Sequence, residues 1–191
     1  MNRRDALSRV AVLFGGTIIG AEFFLTGCKN PDAKTAGALD FSEKNIAFLD
    51  EVAETILPET PSSPGAKAAK VGDFMKTMVT DCYDEKDQEI FMEGIGKLNE
   101  AAKKKYDNSF EKLTPEQRKE FLIALDKEAK DYTTAKKEND PNHYFTLMKQ
   151  LTVLGFFTSK IGATQALNYI PVPGRWEGCI DYKKGDKAYA T

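Results

Sequence analysis

The sequence contains few of the residues from which metal and redox sites are usually built. Its 191 residues include one histidine, His143, and three cysteines. A structural zinc site needs four ligands from cysteine, histidine and acidic side chains, and no suitably spaced set is present. The Cys-x-x-Cys-His pattern of covalent haem is also missing, and no Gly-x-Gly-x-x-Gly turn follows a strand. We therefore expect no catalytic residue, cofactor or metal in this chain, and we interpret His143 as a solvated or capping residue.

The sequence also lacks an excess of charge of either sign. Lysine and arginine total 27 and the acidic residues 29, which gives a formal net charge of −2. Nucleic-acid-binding domains usually carry a clustered basic surface, so no nucleic-acid partner is expected. A membrane-spanning helix needs about 20 strongly apolar residues. The candidate segment Val10–Leu25 is shorter and contains three glycines and Glu22.

The first 27 residues resemble a cleavable export signal. Arg3 and Arg4 are adjacent, Leu7 follows three places after Arg4, and the apolar segment Val10–Leu25 comes next. This order is typical of twin-arginine signals, which direct the export of folded proteins. Ala6 stands where that motif commonly has phenylalanine. We predict that residues 1–27 are a twin-arginine signal peptide.

The tetrapeptide Leu25–Cys28, "LTGC", resembles the lipobox of bacterial lipoproteins, in which a cysteine thiolate receives diacylglycerol before cleavage. Two or three acyl chains give stable membrane anchoring. We predict lipidation of Cys28 on the periplasmic side of the cell envelope, followed by a flexible tether over residues 28–40. The alternative is a single-pass anchor with an incidental cysteine at its end.

Residues 41–191 are predicted to form one all-α domain, a bundle of about five to six helices. Apolar residues recur at three-to-four spacing, Ser42 fits an N-cap, and Thr114–Gln117 fits a capping box. A later helix is expected to open at Asp140–Pro141, and its segment "LMKQLTVLGFF" is apolar nearly all round, which predicts the deepest burial. The last 30 residues, rich in proline, glycine and aromatics, predict an irregular wrap over the helices.

Two cysteines besides Cys28 remain to be placed. Cys82 falls on the apolar stripe of a helix that begins near Val71, so it is predicted to point toward the core. In an oxidising compartment Cys82 and Cys179 could form a disulfide. The alternative is that both are buried free thiols, and the sequence leaves these two possibilities open.

Three blocks of sequence together resemble the gluconate 2-dehydrogenase subunit 3 family. They are "ILPETPSSPGAKAAKVGDFMKTMVTDCY", "LTPEQRKEFLIALD" and "HYFTLMKQLTVLGFFTSKIGATQALNYIPVPGRWEGC", and the resemblance runs from about Phe41 to Cys179. Members are small subunits of flavin-linked periplasmic dehydrogenases. The resemblance implies a non-catalytic chain whose partner is a large FAD-binding oxidoreductase of the glucose–methanol–choline type, often with a cytochrome c subunit. It also implies that the large subunit is exported on the small subunit's signal. The lipobox departs from many members, which carry a simple cleavable signal.

The resemblance is densest near the C-terminus, where large aromatic and arginine side chains are favoured as interface anchors. We therefore predict a partner interface that includes Phe156, Phe157, Tyr169, Arg175 and Trp176. The alternative is that Phe156 and Phe157 belong to the core and that Trp176 only pins the tail.

The sequence thus favours an accessory subunit that exports, stabilises and anchors a flavoprotein. A stand-alone helical envelope lipoprotein that binds a ligand or another envelope protein is the alternative. A third possibility, an enzyme in its own right, would need titratable groups that converge in a pocket.

Overall fold

The fold is taken from a computed structural model, which describes residues 39, 41–172, 174–175 and 178–190. These residues belong to one compact unit, Leu39–Thr191. The predicted signal residues Arg3, Arg4 and Leu7, the predicted lipidation site Cys28, and Trp176 lie outside the described residues. The predictions that concern them stay predictions.

The described chain is built from α-helices, as the sequence predicts. In chain order they are α1 Glu43–Ile56, α2 Val71–Cys82, α3 Glu85–Tyr106, α4 Pro115–Ala135 and α5 Tyr144–Thr158. A 3₁₀ turn at Phe110–Lys112 precedes α4, and a π-helix at Gly162–Ala166 follows α5. Two strands of two residues, β1 Asn168–Tyr169 and β2 Tyr189–Ala190, pair in parallel. The all-α, single-domain prediction is confirmed.

Local side-chain caps decide where several helices begin. The hydroxyl of Ser42 accepts a hydrogen bond from the Asn45 N–H at 3.4 Å, although this contact is long. Thr114 and Gln117 form a reciprocal capping box, with hydrogen bonds of 3.3 Å and 3.0 Å. Such caps satisfy N–H groups that have no partner within the helix. The N-caps predicted at Ser42 and Thr114 are therefore confirmed.

The start of α5 differs from the prediction. The helix begins at Tyr144, and His143 is its N-cap. The Asp140 carboxylate instead accepts a hydrogen bond from the Lys137 N–H at 2.9 Å, and the Asp140 N–H donates to the Lys137 carbonyl at 3.0 Å. Asp140 therefore closes a turn after α4 and does not cap α5, so the helix opens three residues later than the Asp-Pro pair suggests.

Helix α5 lies at the centre of the bundle and packs against each of the other four α-helices. Close approach depends on small residues, since a Cβ at Gly94 would lie 2.6 Å from the Tyr144 Cβ and one at Gly155 would lie 2.5 Å from Phe74 Cδ1. The largest fully buried apolar side chains come from four of these helices and the 3₁₀ turn: Leu49, Val52, Val71, Met75, Val79, Phe91, Leu98, Phe110, Phe145 and Met148.

The long connection between α1 and α2 is held by acidic side chains of α1. The Glu54 carboxylate accepts hydrogen bonds from the backbone N–H groups of Glu59 and Lys67, at 2.8 Å and 2.9 Å. The Asp50 carboxylate accepts one from the Gly72 N–H at 2.8 Å. Helix α1 thereby fixes both ends of a segment that has no helix of its own.

The C-terminal segment is irregular, as predicted. Strand β2 returns to pair with β1, and Lys187 donates a hydrogen bond to the Gln165 carbonyl in the π-helix. The intervening residues that the structure describes, from 171 to 188, are all exposed. The segment therefore closes a loop beside the end of α5.

Candidate partner interface

The residues of the predicted interface differ in their exposure to solvent. Phe156 is buried, so the alternative interpretation as a core residue holds for it. Its neighbour Phe157 is 37% exposed, with the two ring centroids 5.0 Å apart. Tyr169 and Arg175 are exposed, and Trp176 is outside the described residues. Of the five residues, three therefore lie on the surface, and they come from both α5 and the irregular segment.

One face of α5 is apolar and exposed, which the sequence did not predict. Val153 and Leu154 are 41% and 46% exposed. Together with Phe157 they share a side of the helix, because residues three and four positions apart are neighbours on a helix surface. The prediction that the helix containing "LMKQLTVLGFF" is the most buried is confirmed, since α5 has more buried residues than any other described helix. The helices of the described bundle nevertheless leave this side of α5 uncovered.

This exposed face borders a groove between α4 and α5. The groove encloses about 800 Å³, and its walls include Ala129, Thr133, Thr146, Val153 and Leu154. A smaller cavity of about 250 Å³ adjoins it and shares Asp126 and Lys149 with it. Ile123, which is 61% exposed, lines this second cavity. We call the two cavities with the exposed face of Val153, Leu154 and Phe157 the α4/α5 groove.

Sequence reasoning missed the α4/α5 groove, although one signal for it was present. The buried face of α4 consists of Phe121, Leu122, Leu125 and Ala129. Ile123 is a large apolar residue outside that stripe. A β-branched apolar side chain on the polar side of an amphipathic helix is a reason to look for a second contact surface.

The polar groups of the groove carry a local excess of positive charge. Asp126 accepts hydrogen bonds from Lys130 at 2.7 Å and from Lys149 at 2.5 Å. These two hydrogen bonds hold the pKa of the Asp126 carboxyl below its ordinary value, and the bond from Lys130 has the larger effect. Lys119 is the third lysine among the residues that line the two cavities, and Asp126 is the one acidic residue among them. The groove therefore combines an apolar floor with basic edges.

The single histidine has a structural role. Its Nδ1 accepts a hydrogen bond from the Phe145 N–H at 3.2 Å, so it caps α5. Burial lowers the pKa of His143, and burial raises the pKa of the adjacent Tyr144 to about 12. Both side chains are thus held in their neutral forms at physiological pH. The interpretation of His143 as a capping residue is confirmed.

The ion pair network around Glu51 joins three parts of the fold. Glu51 lies in α1 and pairs with Lys67 in the following connection and with Arg118 in α4, the second contact being 2.5 Å. Burial by itself raises the pKa of Glu51, but the hydrogen bonds from Lys67 and Arg118 outweigh it and lower the pKa below its ordinary value. These charged groups therefore hold elements of the bundle together.

The structure contains Cys82 and Cys179 as free thiols, and both are exposed. The prediction that Cys82 points toward the core is wrong, and so is the alternative of two buried thiols. Cys82 is the last residue of α2, and its thiol lies 4.0 Å from the Met78 sulfur. The buried stripe of α2 ends earlier, at Val79. The disulfide that the sequence left open is not formed in this structure.

The described part of the chain shows neither a metal-binding cluster nor a membrane-spanning helix. Its histidine, cysteine and acidic side chains form no group of three or more that could hold a metal ion. None of its helices is both long and apolar enough to cross a bilayer.

A sequence model for the family described as gluconate 2-dehydrogenase subunit 3 matches residues 43–174. The chain belongs to the gluconate 2-dehydrogenase subunit 3 family. Its members are subunits of a dehydrogenase, and the resemblance seen in the three sequence blocks is confirmed. No curated protein and no solved structure matches the chain. The matched region begins with α1 and includes the whole α4/α5 groove, whereas residues 178–190 of the irregular segment fall outside it.

Proposed function

We propose that this chain is the non-catalytic small subunit of an FAD-linked dehydrogenase of the glucose–methanol–choline type. In this role it escorts the flavoprotein subunit through export, stabilises it and anchors it to a membrane. The observation that carries the proposal is the family match, which spans all five α-helices of the described bundle. FAD belongs to the partner, and a cytochrome c subunit is its expected electron acceptor.

Three titratable side chains of the fold hold helices in place, and this structural use supports a non-catalytic role. His143 caps α5, Glu51 joins α1 to α4 through Arg118, and Asp126 pairs with two lysines. Each group is engaged in holding helices in place. A catalytic acid or base needs to be within hydrogen-bonding reach of a substrate, and these groups already have partners within the protein.

The order of the N-terminal motifs supports the escort and anchor roles. A flavoprotein that receives FAD in the cytoplasm has to be exported in its folded state, and the twin-arginine route carries folded proteins. A signal at Arg3 and Arg4 on one subunit would then serve both chains of a tight complex. A lipid on Cys28 would hold that complex on the periplasmic side of the envelope.

Export of the complex is tested by co-expressing the full chain with the flavoprotein that co-purifies with it from detergent. The double substitution Arg3→Lys/Arg4→Lys keeps the charge but removes the arginine pair. We expect flavin absorbance to disappear from the envelope fraction and the flavoprotein to stay in the cytoplasm. Arg9→Lys is the matched control, because it makes the same exchange outside the pair and should leave export unchanged.

The anchor role is tested separately with Cys28→Ala. We expect this variant to release the flavoprotein into the soluble periplasmic fraction, whereas Cys82→Ala, at an exposed cysteine outside the lipobox, should leave it on the membrane. A flavoprotein that reaches the envelope unchanged in the double arginine variant would refute the escort role. A solubilised wild-type chain with no flavin-bearing partner would refute the whole proposal.

A further inference from the structure

We propose that the α4/α5 groove is the surface on which the flavoprotein subunit docks, through an apolar ridge flanked by acidic side chains. This inference rests on the proposed function and adds where the contact lies and what chemistry it uses. It keeps Phe157 from the interface predicted from the sequence but places the centre of the contact on α5 and α4 rather than on the C-terminal segment.

The first support is the grouping of exposed apolar side chains. Single exposed hydrophobic residues are common on protein surfaces, but a contiguous apolar patch beside a concave surface marks an interaction site. Val153, Leu154 and Phe157 occupy one side of α5. Ile123 is a further exposed apolar side chain on α4, in the smaller cavity, which shares the Asp126–Lys149 ion pair with the larger one. Thr146 to Phe157 spans about 16 Å at 1.5 Å per residue. That length accommodates about three helical turns of a partner ridge.

The second support is charge. Lys119, Lys130 and Lys149 line the groove against the single acid Asp126, on a chain whose formal net charge is −2. Complementary charges at an interface mainly guide association and select the partner. A ridge with acidic flanks would fit these basic edges while its apolar side chains fill the groove.

The third support is the position of the groove in the family region. A partner common to a family of subunits is expected to bind a surface that the family region contains. The groove lies wholly within the matched residues 43–174. Another set of exposed apolar side chains, which includes Ile180, Tyr182 and Tyr189, lies beyond residue 174.

The fourth support is the rigidity of the groove walls. Helix α5 packs against each of the other four α-helices, and α4 packs against α1 and α5. A preformed surface loses little conformational entropy when a partner binds. The walls are therefore suited to a stable subunit contact.

The test uses the full chain and its co-purified flavoprotein, with a single aspartate introduced into the groove. Leu154→Asp and Ile123→Asp each place a charge in the apolar patch at an exposed position, so folding should be preserved. We expect the flavoprotein to dissociate at least about tenfold faster from either variant, because changes at interface anchors act mainly on dissociation. The readouts are the flavin retained per chain after dilution and the helical circular dichroism of the free variant.

Val172→Asp is the matched control. It makes the same kind of substitution at a residue that is 80% exposed, within the family region but outside the groove. We expect dissociation within about twofold of wild type, since surface changes away from an interface have little effect. Lys119→Glu tests the charge component. Its control is Lys86→Glu, at an exposed lysine at the start of α3 and outside the groove. Only Lys119→Glu should slow association and weaken its dependence on salt.

The outcomes separate this inference from the proposed function. If wild type holds the flavoprotein and the folded Leu154→Asp and Ile123→Asp variants hold it equally well, the groove is not the docking surface, while the proposed function stands. If wild type binds no flavoprotein, both fail. A purified chain that dimerises alone, and that Leu154→Asp converts to a monomer, would show that a second copy occupies the groove and would overturn the inference.

Discussion

The contact between α3 and α5 can be tested with two glycines of the same helix. Gly94 is buried, and a Cβ added there would lie 2.6 Å from the Tyr144 Cβ, 2.7 Å from Cδ2 and 2.8 Å from Cγ. Gly96 is exposed, and a Cβ added there has no atom within 4 Å apart from its local helix surroundings. The same substitution at two positions of α3 therefore meets opposite environments.

The expected magnitudes follow from two opposing effects. Replacing glycine by alanine within a helix stabilises it by about 0.5–1 kcal/mol. Inserting an extra methyl group into a packed core costs about 1–3 kcal/mol. The atom nearest to Gly94 is the Cβ of Tyr144, which cannot move without the α5 backbone. We expect Gly94→Ala to lose about 1–2 kcal/mol net, and Gly96→Ala to gain about 0.5–1 kcal/mol.

Urea unfolding of the purified full chain, followed by circular dichroism, measures both free energies. At a size of about 190 residues, each kcal/mol corresponds to roughly 2–4 °C in melting temperature. The two variants should therefore shift the melting temperature in opposite directions. If Gly94→Ala is as stable as Gly96→Ala, α3 and α5 do not approach as closely as the structure has them, and the central position assigned to α5 is wrong.

Three further predictions concern caps and charges. Burial lowers the pKa of His143 below its ordinary 6.5, so the unfolded chain takes up a proton first and stability falls as the pH drops below about 6.5. His143→Asn keeps a capping side chain but removes the titratable group. Its free energy of unfolding should therefore fall less than that of wild type between pH 7.5 and pH 5.5. Glu51→Gln should cost about 1–2 kcal/mol at pH 7; since the pKa of Glu51 is lowered from 4.5, the difference from wild type should shrink as the pH falls below that value. Thr114→Ala should cost about 1 kcal/mol through loss of the α4 cap, measured by urea unfolding.

The helices could be predicted from sequence because their signals are local. The capping box at Thr114–Gln117 and the N-cap at Ser42 depend on residues three positions apart, and both occur as predicted. The start of α5 could not be placed in the same way. Asp140 and His143 both have side chains that can cap a helix. Because Asp140 closes a turn with Lys137, His143 is the N-cap of α5.

The candidate site was harder to predict because burial depends on the arrangement of the helices. Periodicity identifies the inward side of an amphipathic helix such as α4. It cannot identify the open side of a helix that is apolar all round, and in α5 that side carries Val153, Leu154 and Phe157. Cys82 was misplaced for a related reason, since it continues the spacing of a buried stripe beyond the point where other helices cover α2.

The position of α5 links docking to stability. Its buried side contacts every other α-helix of the described bundle, and its open side forms a wall of the α4/α5 groove. A partner that binds only the folded bundle would stabilise it by about 2.7 kcal/mol at a concentration one hundred times the dissociation constant. Because α5 is shared by the core and the groove, that stabilisation would extend to the whole bundle. Under the proposed function, docking before export would protect this chain, while the signal predicted at Arg3 and Arg4 would serve both chains, so that each would depend on the other.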